Sequence, residues 1–200
     1  MGMTTIVGAV AFVLSAAQLT QMGGAVLRSP DPSGVSRPMW LILLAQAVAW
    51  VVFGRVEHLW PSMAINALLL IVAALVLRVL FRDAPQPFAL LVAATVALAM
   101  LCVALASGGH AGLVGWTATA CGLVAFVPQA ASLLRTRDTS GLSLGSWSLG
   151  LAAIVCWLMY GIGLGAAQVI VSTIPPLLCS LVIVGALVRS RPAPIGTLAR

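Results

Sequence analysis

The sequence predicts an all-α membrane protein, with seven transmembrane helices arranged as two parallel three-helix bundles joined by a linker helix. Three observations predict it. The chain is 62% hydrophobic and 7% charged, whereas soluble domains carry about a quarter charged residues; 200 residues of that composition lack the polar surface to cover a water-soluble globule. Seven mostly apolar stretches have roughly the 20-residue length that a membrane-crossing helix needs. Finally, a shift of 107 residues lays one part of the chain over another.

The seven stretches are Ile6–Leu27, Pro38–Gly54, Ser62–Leu80, Phe88–Ser107, Leu113–Leu134, Leu144–Leu164 and Gln168–Val188. The first is expected to be a retained helix, because secretory signals open on a positive segment and "MGMTT" has no basic side chain. The third contains "MAINALLLIVAALVL", which lacks the apolar–polar alternation of a membrane β-barrel strand. The fifth holds a proline and an amide, Pro128-Gln129, inside an apolar run. The loops are short and leave no room for a soluble domain.

The net charge of +6 would point to nucleic acid in a soluble protein, but its placement points to a membrane. Arg28, Arg37, Arg78, Arg82, Arg135, Arg137, Arg189, Arg191 and Arg200 follow odd-numbered helices, and Arg55 alone falls on the other side. Such an asymmetry marks the cytoplasmic face. The expectation is a multi-pass protein of the plasma (inner) membrane, N-terminus outside and C-terminus cytoplasmic, with no nucleic-acid partner.

Cys102, Cys121, Cys156 and Cys179 lie within the predicted helices without metal-ligand spacing and read as small buried hydrophobes. His58 and His110 sit in or beside outer connections and read as solvated. No cofactor or metal is expected.

The 107-residue shift aligns Leu27-Arg28 with Leu134-Arg135, Asp31 with Asp138, Ser33-Gly34 with Ser140-Gly141, and Ser36 with Ser143. Trp40 falls on Trp147, Ala45 on Ala152, Val48 on Val155, Trp50 on Trp157 and Gly54 on Gly161. Tryptophan and aspartate are rare in this chain, so their matches carry most weight. Three helices reverse the chain direction, and a fourth is needed before the second copy enters in the same sense. The expected division is a first repeat over 1–83, a linker helix over 84–111, a second repeat over 112–188 and a cytoplasmic tail over 189–200. Parallel repeats pack about an axis along the membrane normal, with a solute site between them near the midplane.

These residues resemble the SWEET sugar-transporter and PQ-loop superfamily in its seven-helix form. The resemblance rests on Pro128-Gln129, the following "TSGLSLGSW", "WLMYG" at 157–161, the first-repeat counterparts "SGVSRPMW" and "WVVFG", and Asn66 twelve residues after Gly54. It covers both repeats. The chain departs from the pattern at Gln21 and Met22, opposite Pro128 and Gln129, and at Thr173, opposite Asn66.

A proline removes one backbone hydrogen bond from a helix, and in a membrane neighbouring polar groups must satisfy the freed carbonyl. Gln129 is placed to help. Pro128 reads either as the hinge of an inward gate, which the resemblance implies, or as a static kink; Gln21 holds the equivalent place in the first repeat. Gly23-Gly24 reads as a pliable point or a close-packing site. Asparagine facing lipid is costly, so Asn66 is expected to face the bundle interior. Trp50 with Asn66, and Trp157 with Thr173, form an aromatic-plus-polar surface that suits a sugar, with its C–H faces and rim of hydroxyls. The competing reading of Trp50 and Trp157 is interfacial anchoring, which fits Trp60 better. Arg55 and Glu57 read as a latch at the outer mouth or as a solvated loop.

All four carboxylates, Asp31, Glu57, Asp83 and Asp138, fall at turns or loops, leaving none at membrane depth for proton coupling or for a cationic solute. The expected function is facilitative transport of a small neutral polar solute, mono- or disaccharides first, by alternating access. Its partners are that solute and the bilayer, and self-association is compatible with it. The alternatives are a PQ-loop-type amino-acid exporter and a non-transporting receptor or assembly protein on the same fold. No nucleophile, base and orienting group converge, so no enzyme is expected.

Overall fold

A computed structural model describes residues 2–29, 35–83, 85–136 and 143–189. They form α1 (Met3–Arg28), α2 (Arg37–Val56), α3 (Trp60–Leu80), α4 (Pro85–Ser107), α5 (Ala111–Ala125), α6 (Val127–Thr136), α7 (Leu144–Leu164) and α8 (Ala167–Arg189). Six of these, all but α5 and α6, are long and apolar enough to cross a membrane. Asp31, Asp138, Arg137, Arg191 and Arg200 lie outside the described residues, as do Ser33-Gly34 and Ser140-Gly141.

The matched serines start equivalent helices. Ser36 Oγ accepts from the Met39 N–H at 3.4 Å, and Ser143 Oγ accepts from the Ser146 N–H at 3.3 Å. Each satisfies a donor that the first helical turn leaves free; such a cap contributes about 1 kcal/mol. The matched glycines tighten equivalent hairpins. A Cβ at Gly54 would lie 3.2 Å from Met63, and one at Gly161 would lie 3.1 Å from Ile170. α2 can therefore turn closely onto α3, and α7 onto α8.

The expected fifth span, Leu113–Leu134, is not one helix. α5 ends at Ala125, the chain bends at Phe126, and the ladder restarts with the Ala130 N–H donating to the Phe126 carbonyl at 3.1 Å. The described residues thus hold eight helices where seven were expected. Pro128 is the second residue of α6, where its missing N–H costs that helix nothing, and the same lack stops it from extending the α5 ladder by donating to the Val124 carbonyl. Proline alone is not decisive, since α8 runs unbroken through Pro175 and Pro176. There the Ser172 and Thr173 hydroxyls donate to the Val169 and Ile170 carbonyls at 2.8 and 2.7 Å, within the turn before the prolines.

α3 packs against α1 and α2, and α8 against α5, α6 and α7. The two groups meet where α1 touches α7 and α2 touches α5. Exchanging α1 with α5, α2 with α7 and α3 with α8 leaves this pattern unchanged. α4 packs on α2 and α5 and leaves Leu90, Val96 and Met100 exposed, a surface suited to hydrocarbon.

The bundle's ends differ. Arg28, Arg37, Arg78, Arg82, Arg135 and Arg189 lie at one, and Arg55 at the other, beside the start of α1. At the Arg55 end, one apolar cluster joins Trp50, Phe53 and Leu59 to Val114, Tyr160 and Val169, across both groups. At the arginine-rich end there are two clusters. One centres on Trp40 and Leu77 and the other on Trp147 and Ile183, with Phe126 packed against both.

Candidate functional site

Trp50 on α2, Asn66 on α3, Trp157 on α7 and Thr173 on α8 line one cavity of about 210 Å³. A single water needs roughly 10–15 Å³ of such space, so a small organic solute fits. The cavity reaches Met39 and Trp147 in the first turns of α2 and α7, and stops at Trp50 and Trp157 before those helices end. It therefore extends toward the arginine-rich end, where the core is split, and is closed toward the end that shares one cluster. Among the described residues that line it, none is charged.

Asn66 and Thr173 are each held by their own helix. The Asn66 Nδ2 donates to the Ser62 carbonyl at 2.8 Å, which leaves its Oδ1 and a second N–H uncommitted. Thr173 has one proton and gives it to the Ile170 carbonyl. The Trp157 Nε1 donates to Ser15 Oγ on α1 at 2.9 Å, tying the two groups together and leaving the ring face as the indole's contribution. Tyr160 sits edge-on to Trp157 at 5.6 Å between centroids, and Phe53 edge-on to Trp50 at 5.7 Å.

The closed end is built from a repeated device. A Cβ at Gly8 of α1 would lie 2.7 Å from the Tyr160 ring of α7, and a Cβ at Gly115 of α5 would lie 2.7 Å from the Phe53 ring of α2. The 107-residue shift carries Gly8 onto Gly115 and Phe53 onto Tyr160. Each aromatic is nearly fully buried, and each glycine lets the opposite helix close upon it.

The family model described as the PQ loop repeat matches residues 111–170. A sugar transporter, SemiSWEET, from Bradyrhizobium diazoefficiens is 37% identical over 60 residues, which covers 30% of this chain and 70% of that one. The chain belongs to the SWEET and PQ-loop superfamily. A solved structure of a eukaryotic SWEET transporter superposes with a TM-score of 0.77 at 11% identity, covering 93% of this chain and 95% of that one. At that identity the likeness is one of fold, and it makes this a multi-pass helical membrane protein of SWEET architecture.

Within that SWEET fold the four expected pocket residues come together, and others fall elsewhere. Gln21 is exposed, while its neighbour Met22 lines the cavity. The Arg55 guanidinium stacks over Trp60, 5.4 Å from the ring centroid; among the described residues no ion pair joins it to Glu57, and neither lines the cavity. Trp60 is half exposed, as an anchor would be. Pro128 and Gln129 lie in the first turn of α6, just past the bend. α1 runs straight through Gly23-Gly24, and a Cβ at Gly23 would overlap Val72 of α3, so Gly23 is a close-packing site. Two glutamines were missed. Gln18 and Gln46 both line the cavity; an amide within an apolar span is by itself a signal of function.

Proposed function

We propose that this protein is a facilitative transporter of small neutral polar solutes, sugars first, working by alternating access. The observation that carries the reading is the meeting of Trp50, Asn66, Trp157 and Thr173 at one cavity whose described lining holds no charge. Indole faces pack on a sugar's C–H faces, amides and hydroxyls pair with its rim, and an uncharged wall attracts no ion. The similarity to a sugar transporter supports the solute class.

In this reading α5 and α6 form one bent span, giving seven spans in a three-plus-one-plus-three arrangement. The repeats cover 1–83 and 112–188, with the linker over 84–111 and a tail over 189–200. The unchanged helix contacts on exchanging the two groups support it. The conformation fits an inward-facing state, parted at the arginine-rich side and sealed by Gly8–Tyr160 and Gly115–Phe53 at the other. The bend before Pro128 is the hinge about which α6 swings to close the parted side, with Gln129 and, in the first repeat, Gln21 beside it. Arg55, stacked on Trp60, and Glu57 stand at the outer rim.

The test is flux. Purified protein in liposomes is expected to admit labelled glucose or sucrose and to exclude labelled amino acids. Amino-acid flux alone would favour the exporter reading, and no flux of either would favour a receptor or scaffold.

Two further results are expected. Six of the seven described arginines lie at one end, which supports a cytoplasmic C-terminus and an outer N-terminus in the plasma (inner) membrane. In intact cells an impermeant thiol reagent should label Met3→Cys and spare Asp83→Cys, with the native cysteines replaced; the opposite pattern reverses the topology. Pro128→Ala returns a backbone donor to α6 and should stiffen the bend. Flux should fall more than solute affinity does, whereas unchanged flux at equal protein would make the kink purely structural.

A further inference from the structure

Among the described residues that line the cavity, the stronger hydrogen-bonding side chains lie on one side. Under the 107-residue shift Gln18 falls on Ala125, Gln46 on Ala153, Ser62 on Val169 and Asn66 on Thr173, and all eight residues line the cavity. In each pair the first group of helices supplies the stronger hydrogen-bonding side chain. Among pairs with both side chains described and lining the cavity, Ile65 and Ser172 reverse this order, and the Ser172 proton is given to the Val169 carbonyl. Thr173 spends its proton likewise. The wall formed by α5, α7 and α8 thus has no uncommitted side-chain donor among its described serines and threonines.

The two glutamines are fitted to glycines of the opposite group. Gln18 of α1 lies against Gly150 of α7, where any Cβ would overlap its carboxamide. Gln46 of α2 lies against Gly122 of α5, where a Cβ would sit 3.6 Å from its amide nitrogen. Space for Gln18 is therefore made by a residue lacking a side chain, while Gln46 would meet a Cβ at position 122 in ordinary contact. The Gln46 Oε1 is buried and has no hydrogen-bond partner among the described residues, and an unpaired buried acceptor is costly unless something meets it.

We propose that Gln18 and Gln46 determine specificity by reading the solute's hydroxyls. The solute is a monosaccharide held with a hydroxyl-bearing edge on α1, α2 and α3 and a hydroxyl-poor edge on α5 and α7. The Gln46 carboxamide turns toward the cavity so that its oxygen accepts from one hydroxyl, and Gln18 pairs with a neighbouring one. Facing them, Ala125, Ala153 and the Trp157 ring offer surface to C–H groups. The cavity then favours sugars that carry their hydroxyls along one edge, and tolerates their removal from the other. This inference rests on the transport reading.

The experiment measures inhibition of labelled D-glucose exchange in proteoliposomes by each monodeoxy analogue of glucose, for wild type, Gln18→Met and Gln46→Met. In the wild type, removing hydroxyls along one edge should weaken inhibition by about tenfold, and removing the others by less than about twofold, the scale of one hydrogen bond. In Gln46→Met the penalty at one of the sensitive hydroxyls should vanish while the others persist, and Gln18→Met should erase a different one. Because each comparison is a ratio within one variant, loss of folded protein does not mimic it. Gly150→Ala, which displaces Gln18, should reproduce the Gln18→Met pattern. Equal sensitivity to every hydroxyl in the wild type, or an unaltered pattern in both glutamine variants, would overturn this inference and leave the transport reading standing. Absence of glucose, mannose and sucrose exchange in the wild type would overturn both.

Discussion

Asn66→Ala should weaken sugar binding by about tenfold, and Thr173→Ala by only two- to threefold, on the scale of one neutral hydrogen bond and an orphaned partner. The two residues are equivalent under the repeat, yet their chemistry differs. Asn66 commits one N–H to the Ser62 carbonyl and keeps an oxygen and a second N–H for the cavity. Thr173 commits its only proton to the Ile170 carbonyl, so its loss removes a weak acceptor and some packing. Titration of intrinsic tryptophan fluorescence in detergent would read both affinities, because Trp50 and Trp157 line the same cavity. Equal and small effects would remove the polar recognition from the first group of helices.

The second large effect is expected at the sealed end. In Gly8→Ala the new methyl group meets the Tyr160 ring, and in Gly115→Ala it meets the Phe53 ring. Neither ring is the free end of a flexible chain, so the helices must part. Overpacking of this kind costs about 1–3 kcal/mol, and here it acts on the sealed conformation alone. Flux should fall about tenfold or more, as 1.4 kcal/mol corresponds to a factor of ten. A cysteine at Ser15 should become more reactive from the Arg55 side, with the native cysteines replaced. Gly112→Ala, on the same helix as Gly115 but facing open space, should leave flux unchanged. Normal flux in both Gly8→Ala and Gly115→Ala would mean that these contacts do not gate.

Much of this architecture was legible because lipid imposes simple rules on sequence. Length and hydropathy located most of the helices, the arginines fall mainly at one end of the bundle, and a fixed offset matched residues in two parts of the chain. The pairs that the offset matched then acquired physical meanings. Ser36 and Ser143 are caps, and Gly54 and Gly161 admit close hairpins. Trp50 and Trp157 face one cavity. Other features could not be read from pattern alone. Pro128 signalled a bend, but Pro175 and Pro176 do not break α8, because a proline's local chemistry does not by itself decide between a break and a continuous helix. The Gly8–Tyr160 contact joins helices from opposite repeats, and no local motif announces a contact between distant segments. Gln18 and Gln46 belong to no motif either. Their amides in apolar helices were the available signal, and the glycine that makes room for Gln18 is evident only in three dimensions.

In the proposed cycle one cavity, uncharged among its described lining residues, is exposed alternately to the two sides of the membrane. Counterflow tests it most directly. Proteoliposomes loaded with unlabelled glucose should transiently accumulate labelled glucose above its equilibrium level, and a protonophore should leave that overshoot intact. An overshoot that collapses with the proton gradient would contradict uncoupled transport, and equilibration without any overshoot would contradict alternating access.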